Sequence, residues 1–244
     1  MTPRITAAIT ARVLRQLSRD RRTLAILLVL PCLLQTLLWW IFQNASFVFD
    51  RVGPALLAIF PFFVMFLVTS VTTLRERASG TLERLFTLPM GKLDFLLGYA
   101  LAFGLVAMVQ AVLAVGVAVG LLGMDVGGPI VLLGVVGVAD AVLGTALGLF
   151  VSAFARTEFQ AVQFLPAVVV PQILLCGLLA PRSAMPDVLH AVSDVMPLTY
   201  AVDAMSRLAS GDSLGGVWQD LGVVVGFALA ALALGAATLR RRTE

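Results

Sequence analysis

A carboxylate in the middle of an apolar run is the first residue here with chemistry to explain. Asp140 lies within the stretch 129–154. Counting from Pro129 at ~1.5 Å per helical residue sets it roughly 16 Å deep. An ionisable group at that depth costs about 2.5–3.5 kcal/mol on insertion scales, so it is expected to face protein or water and not lipid. Two roles are open to it. One is a proton or cation site in a transport path; the other is a polar tie in a close helix contact, with Gln110 as partner. Gly137, Gly144 and Gly148 share its helix face, and the last two form a G-x-x-x-G pair suited to close approach. Gln163 and Gln172 are amides in a further apolar run, where such groups turn to a neighbour or a cavity. Phe60, Phe62, Phe63 and Phe66 crowd another; most are expected to meet lipid or pack between helices, and some could line a pocket for a large apolar ligand.

Other chemistries find no residues. The phosphate-binding pattern G-x-x-x-x-G-K-[ST] is missing: Gly91-Lys92 is followed by Leu93, and Phe86 stands at the first glycine. The single histidine, His190, has no nearby cysteine, which argues against a zinc site or a nucleophile triad. Cys32 and Cys176 sit in apolar runs and read as small hydrophobes. The expectation is a chain with no catalytic residue, no metal and no cofactor of its own.

The elements that must position these residues follow from composition. Of 244 residues, 60% are hydrophobic and 13% charged, against about 25% charged in a soluble domain. Such a chain cannot cover a water-facing surface with polar groups. Six runs, 24–42, 53–74, 95–122, 129–154, 163–180 and 216–239, are each about long enough to cross ~30 Å of hydrocarbon as a helix. Pro166 and Pro171 are expected to kink the fifth. Trp39 and Trp40 mark the outer end of the first as an interfacial belt. The first run follows some twenty basic and polar residues and has no cleavage signal after it, so it reads as a span and not a leader.

Alternation of the loops collects 14 of the 17 basic residues on one side, and only Arg51, Arg182 and Arg207 fall on the other. The excess of Lys and Arg predicts that both termini are cytoplasmic. The same unevenness ties the net charge of +3 to topology and not to a nucleic-acid partner.

Three segments outside the runs have patterns of their own. In 3–22, Ile5, Ile9, Val13 and Leu17 recur at i+4 among arginines, which predicts an interfacial helix with its apolar stripe in lipid. Residues 181–215 form a long amphipathic outer segment that lies along the surface or dips into the membrane. Residues 75–93, RERASGTLERLFTLPMGKL, are too polar to span and too patterned for a linker. With neither repeat nor low-complexity linker, 1–244 reads as one membrane domain.

The 75–93 segment carries a family resemblance. Arg75-Glu76-Arg77, then Gly80-Thr81-Leu82-Glu83-Arg84-Leu85, then Pro89, resembles the R-E-R-x-x-G-T-L-E-x-L block of type-2 ABC exporter permeases. Met196-Pro197-Leu198-Thr199-Tyr200 is similar to that family's N-P-L-T-Y element, with Met in place of Asn. The resemblance implies an all-α membrane protein with six spans, an N-terminal interfacial helix, a cytoplasmic coupling helix between spans two and three, and an amphipathic outer segment. It also implies that Arg75, Glu76, Gly80, Thr81, Leu82, Glu83, Arg84, Leu85 and Pro89 contact a separate ATPase subunit, present in two copies, on which ATP and Mg are held. Gly80 permits a sharp entry and Thr81 a cap, while Leu82 and Leu85 give an apolar anchor beside Glu83 and Arg84.

A second permease, identical or related, and membrane lipids complete the implied partners. Spans two and five line the path in relatives, which brings in Phe62, Phe66, Gln163 and Gln172. The cargo expected is an amphipathic drug, an antibiotic among them, or a lipid-like molecule, exported across the cell membrane. A proton-coupled transporter or channel using Asp140, and a non-transporting assembly subunit, are the alternative functions.

Overall fold

The computed structural model describes residues 3–78, 92–155 and 157–238. Those residues are helices joined by short turns, with no strand among them. Within them nine α-helices follow in order: α1 Pro3–Arg19, α2 Arg21–Ile41, α3 Ser46–Ala78, α4 Lys92–Val115, α5 Ile130–Ser152, α6 Glu158–Leu175, α7 Asp187–Asp194, α8 Pro197–Ser210 and α9 Leu214–Thr238. Six of them, α2, α3, α4, α5, α6 and α9, are long and apolar enough to cross a membrane.

α1 and α2 are separated by one residue. Asp20 leaves the helical conformation (φ −90°, ψ 79°) and caps α2, accepting from the Thr23 N–H at 3.1 Å and the Thr23 hydroxyl at 2.6 Å. Those bonds hold its carboxyl below the usual carboxylate range. The stripe on α1 does not face lipid as its pattern suggested. Ile9, Val13 and Leu17 are buried against the start of α4, in a cluster with Phe95, Tyr99 and Phe103. An amphipathic pattern states that a face will be covered, and here a protein neighbour covers it before lipid can.

α3 is the central post and packs most extensively on α5. Gly144 and Gly148 make the contact possible: a Cβ at Gly144 would lie 2.5 Å from the Phe62 carbonyl oxygen, and one at Gly148 2.7 Å from that of Phe66. Apolar side chains of α3, α5, α8 and α9 close the main core around this seam.

Several boundaries differ from expectation. α3 continues to Ala78, so Arg75 and Glu76 stand in its last turns and not in a loop. The fifth span begins five residues early, because the Thr157 hydroxyl caps it by accepting from the Gln160 N–H at 3.2 Å. It runs unbroken through Pro166 and Pro171 and stops at Leu175, ahead of Gly177 at φ +95°. The segment 181–215 folds into a 3₁₀ turn, α7 and α8. The Gly127 and Gly128 N–H groups donate to the Ala209 and Leu208 carbonyls at 2.9 and 2.8 Å, satisfying the last turn of α8.

Candidate functional site

Successive residues of an α-helix point about 100° apart, and at the end of α3 this sends two adjacent charges to different neighbours. Arg75 reaches α6: its Nε and Nη2 donate to the two carboxylate oxygens of Glu158 at 2.9 and 3.0 Å, a forked pair. Glu76 turns to α1 and α4, accepting from Arg12 Nη2 at 3.1 Å and from the Tyr99 hydroxyl. Thr6 donates to Asp94 at 3.3 Å and Thr10 to the Gly98 carbonyl at 3.1 Å, fixing α1 along α4. Gly98 is required there, since a Cβ would come within 2.6 Å of Ile9.

Four helices, α1, α3, α4 and α6, thus converge where the chain leaves α3 and re-enters at α4. A groove of about 320 Å³ opens among α1, α3 and α4, with Gln16, Thr72, Glu76 and Tyr99 in its lining. Gly80, Thr81, Leu82, Glu83, Arg84, Leu85 and Pro89 lie outside the described residues.

The polar residues inside the spans have other partners than those expected. Asp140 is fully buried, yet neither carboxylate oxygen has a hydrogen-bond partner among the described residues. The expected tie to Gln110 is not made. Gln110 Nε2 donates instead to the Leu27 carbonyl of α2 at 2.8 Å. Pro31 explains this: it has no N–H for the carbonyl four residues earlier, and Gln110 supplies the donor.

Gln172 is a strut between α6 and α8. Its Nε2 donates to the Val168 carbonyl at 3.0 Å and its Oε1 accepts from the Leu198 N–H at 3.3 Å. Met196, at the N-cap of α8, offers no side-chain acceptor, and Gln172 takes that place. Phe62 and Phe66 are fully buried in the core beside α5. Gln163 instead lies on the exposed side of α6, in a shallow cavity with Phe154, Gln160, Phe164 and Ala167. The structure therefore does not bring Phe62, Phe66, Gln163 and Gln172 together around one space.

A larger cavity, about 880 Å³, is at the end opposite Arg75, bordered by Asp50, Arg51, Asp125, Asp203, Arg207 and Asp212. Beside it Arg182 binds α7 to α8, donating to Ser193 at 3.0 Å, to Asp203 at 2.7 Å and to Asp194. Arg207 pairs with Asp220 of α9 at 3.2 Å. Cys176 is buried and Cys32 half-buried, both as free thiols.

Sequence pattern alone does not mark Glu158, Arg12 and Tyr99 as partners of Arg75 and Glu76. Glu158 carried a signal, since an acidic residue directly after a threonine is a helix-start pattern. Arg12 and Tyr99 carried none beyond their type.

Comparison with known proteins adds a family. A family model described as ABC-2 type transporter matches residues 5–208. ABC transporter G family member 20 of Dictyostelium discoideum is 28% identical over 162 residues, 66% of this chain and 22% of that protein. The Escherichia coli (strain K12) protein named "Probable multidrug ABC transporter permease YbhS" is 27% identical over 175 residues, 71% of this chain and 46% of its own length. Inner membrane transport permease YhhJ of the same strain is 30% identical over 156 residues, 63% of this chain and 41% of its length. The chain spans less than half the length of these curated relatives.

Proposed function

Because the chain belongs to the ABC-2 type transporter family, we propose that it is the membrane subunit of an ATP-driven exporter, coupled to a separate ATPase through the segment between α3 and α4. In this reading both termini are cytoplasmic, two copies or two related chains form the path, and ATP and Mg are held by an ATPase dimer. The observation that carries it is the convergence of α1, α3, α4 and α6 on the two ends of that segment. A push on residues 79–91 would act on the Arg75–Glu158 pair toward the fifth span, and on the Glu76–Arg12–Tyr99 group toward the third. The cargo is an amphipathic, drug-like or lipid-like molecule; the relatives named as multidrug permeases support that class.

Within such a path, the exposed side of α6 with Gln163 is the surface that faces the second permease and the cargo. An amide on a spanning helix is better satisfied there than by lipid. The test is transport into inside-out vesicles from cells producing the chain with a candidate ABC-type ATPase of the same organism, across a panel of amphipathic compounds. ATP-dependent uptake that needs both proteins is the expected result. Uptake that follows a proton gradient without ATP would overturn the reading and turn attention to Asp140.

A further inference from the structure

We infer that the free face of α1 is a binding site for the phosphate of an anionic phospholipid head group. Because α4 covers the apolar stripe of α1, Arg4, Arg15 and Arg19 lie on its open side, among small residues such as Ala7, Ala8 and Ala11. Arg12, Arg15, Gln16 and Arg19, at i, i+3, i+4 and i+7, line a shallow cavity of about 380 Å³ with no acidic side chain among its described lining residues. Arg12 has a carboxylate partner, Glu76, and that bond uses Nη2; its Nη1 is buried without a hydrogen-bond partner among the described residues. Arg15 and Arg19 are exposed, and neither forms an ion pair with a described residue.

Position selects the occupant. α2, a spanning helix, starts at Arg21, two residues beyond Arg19, which places this face at the level of the lipid head groups. A cluster of guanidinium groups at that level suits a phosphodiester, which accepts forked hydrogen bonds and carries the opposite charge. The site stands apart from the exporter reading, since it asks only that α2 cross a membrane.

The test uses the purified full chain in neutral detergent, titrated with phosphatidylglycerol, phosphatidylcholine or inorganic phosphate. Binding is read by native mass spectrometry and by Tm. Phosphatidylglycerol is expected to remain bound and raise Tm, with phosphatidylcholine and inorganic phosphate much weaker. The Arg15→Gln/Arg19→Gln variant should bind phosphatidylglycerol about 30-fold more weakly, roughly fivefold for each arginine. The Arg4→Gln/Arg22→Gln variant loses the same charge outside the cavity and should bind as wild type does. Equal loss in both variants would reduce the site to general charge attraction and overturn it. Inorganic phosphate matching the lipid would overturn the lipid as occupant, and no effect of either ligand would overturn the site.

Discussion

The guanidinium of Arg75 and the carboxylate of Glu158 meet in a forked contact across 83 positions of sequence, joining the end of α3 to the start of α6. Both side chains are more than half exposed, at 59% and 53%, so the pair adds little to stability. Its effect is expected in coupling. Glu158→Ala should leave Tm within about 2 °C of wild type and lower transport per ATP hydrolysed severalfold. The charge-reversed pair Arg75→Glu/Glu158→Arg should recover much of the loss. A transport-to-ATP ratio unchanged in Glu158→Ala would show that the contact transmits nothing.

The α3–α5 seam makes a sharper demand on stability. Gly144→Ala and Gly148→Ala would each drive a methyl into backbone at 2.5 and 2.7 Å, at a cost of about 1–3 kcal/mol. Gly134 of α5 and Gly222 of α9 face open space, and alanine there should be neutral or slightly favourable. Thermal unfolding of the four variants in detergent separates the two pairs.

Gln110 and Pro31 are coupled through the Leu27 carbonyl, although neither touches the other's chemistry directly. Gln110→Leu strands a buried acceptor and should destabilise by about 1–3 kcal/mol. In a Pro31→Ala background the new backbone N–H at that position can serve the carbonyl, and the same substitution should cost much less. A double-mutant cycle on Tm measures the difference, expected to be at least about 1 kcal/mol.

A similar exchange is expected at the start of α8. Gln172→Leu removes the acceptor for the Leu198 N–H and should cost about 1 kcal/mol, the usual worth of a cap. Met196→Asn places an acceptor at the N-cap itself, so it should restore stability to the Gln172→Leu variant. Unfolding midpoints of the two single variants and the double variant check this.

The six spans were legible because each run is close to twenty apolar residues, a length few other structures require. What covers each face was less so. The stripe Ile9–Val13–Leu17 reads as amphipathic whether lipid or α4 receives it, and only the tertiary contact decides. Pro31 announces an orphaned carbonyl in sequence, but the donor for that Leu27 carbonyl comes from Gln110, 83 positions away. For the same reason a tie between Asp140 and Gln110 is compatible with the sequence but is not made in the fold. The G-x-x-x-G pair at Gly144 and Gly148 needs no such distant information, since its spacing alone implies the close approach seen in the fold. Arg75 and Glu76 were legible as part of a motif, but their division between Glu158 on one side and Arg12 on the other depends on helix phase and on where α1 and α6 lie.

The claim that the segment after α3 docks an ATPase is tested most directly by co-purification. The chain is captured from membranes that also contain a candidate ABC-type ATPase of the same organism, as wild type, Glu83→Ala and Gly80→Pro, and the retained ATPase is quantified. Wild type should hold the ATPase through washing, and both variants should lose most of it while keeping their own yield and Tm. Retention equal to wild type in both variants would contradict the account.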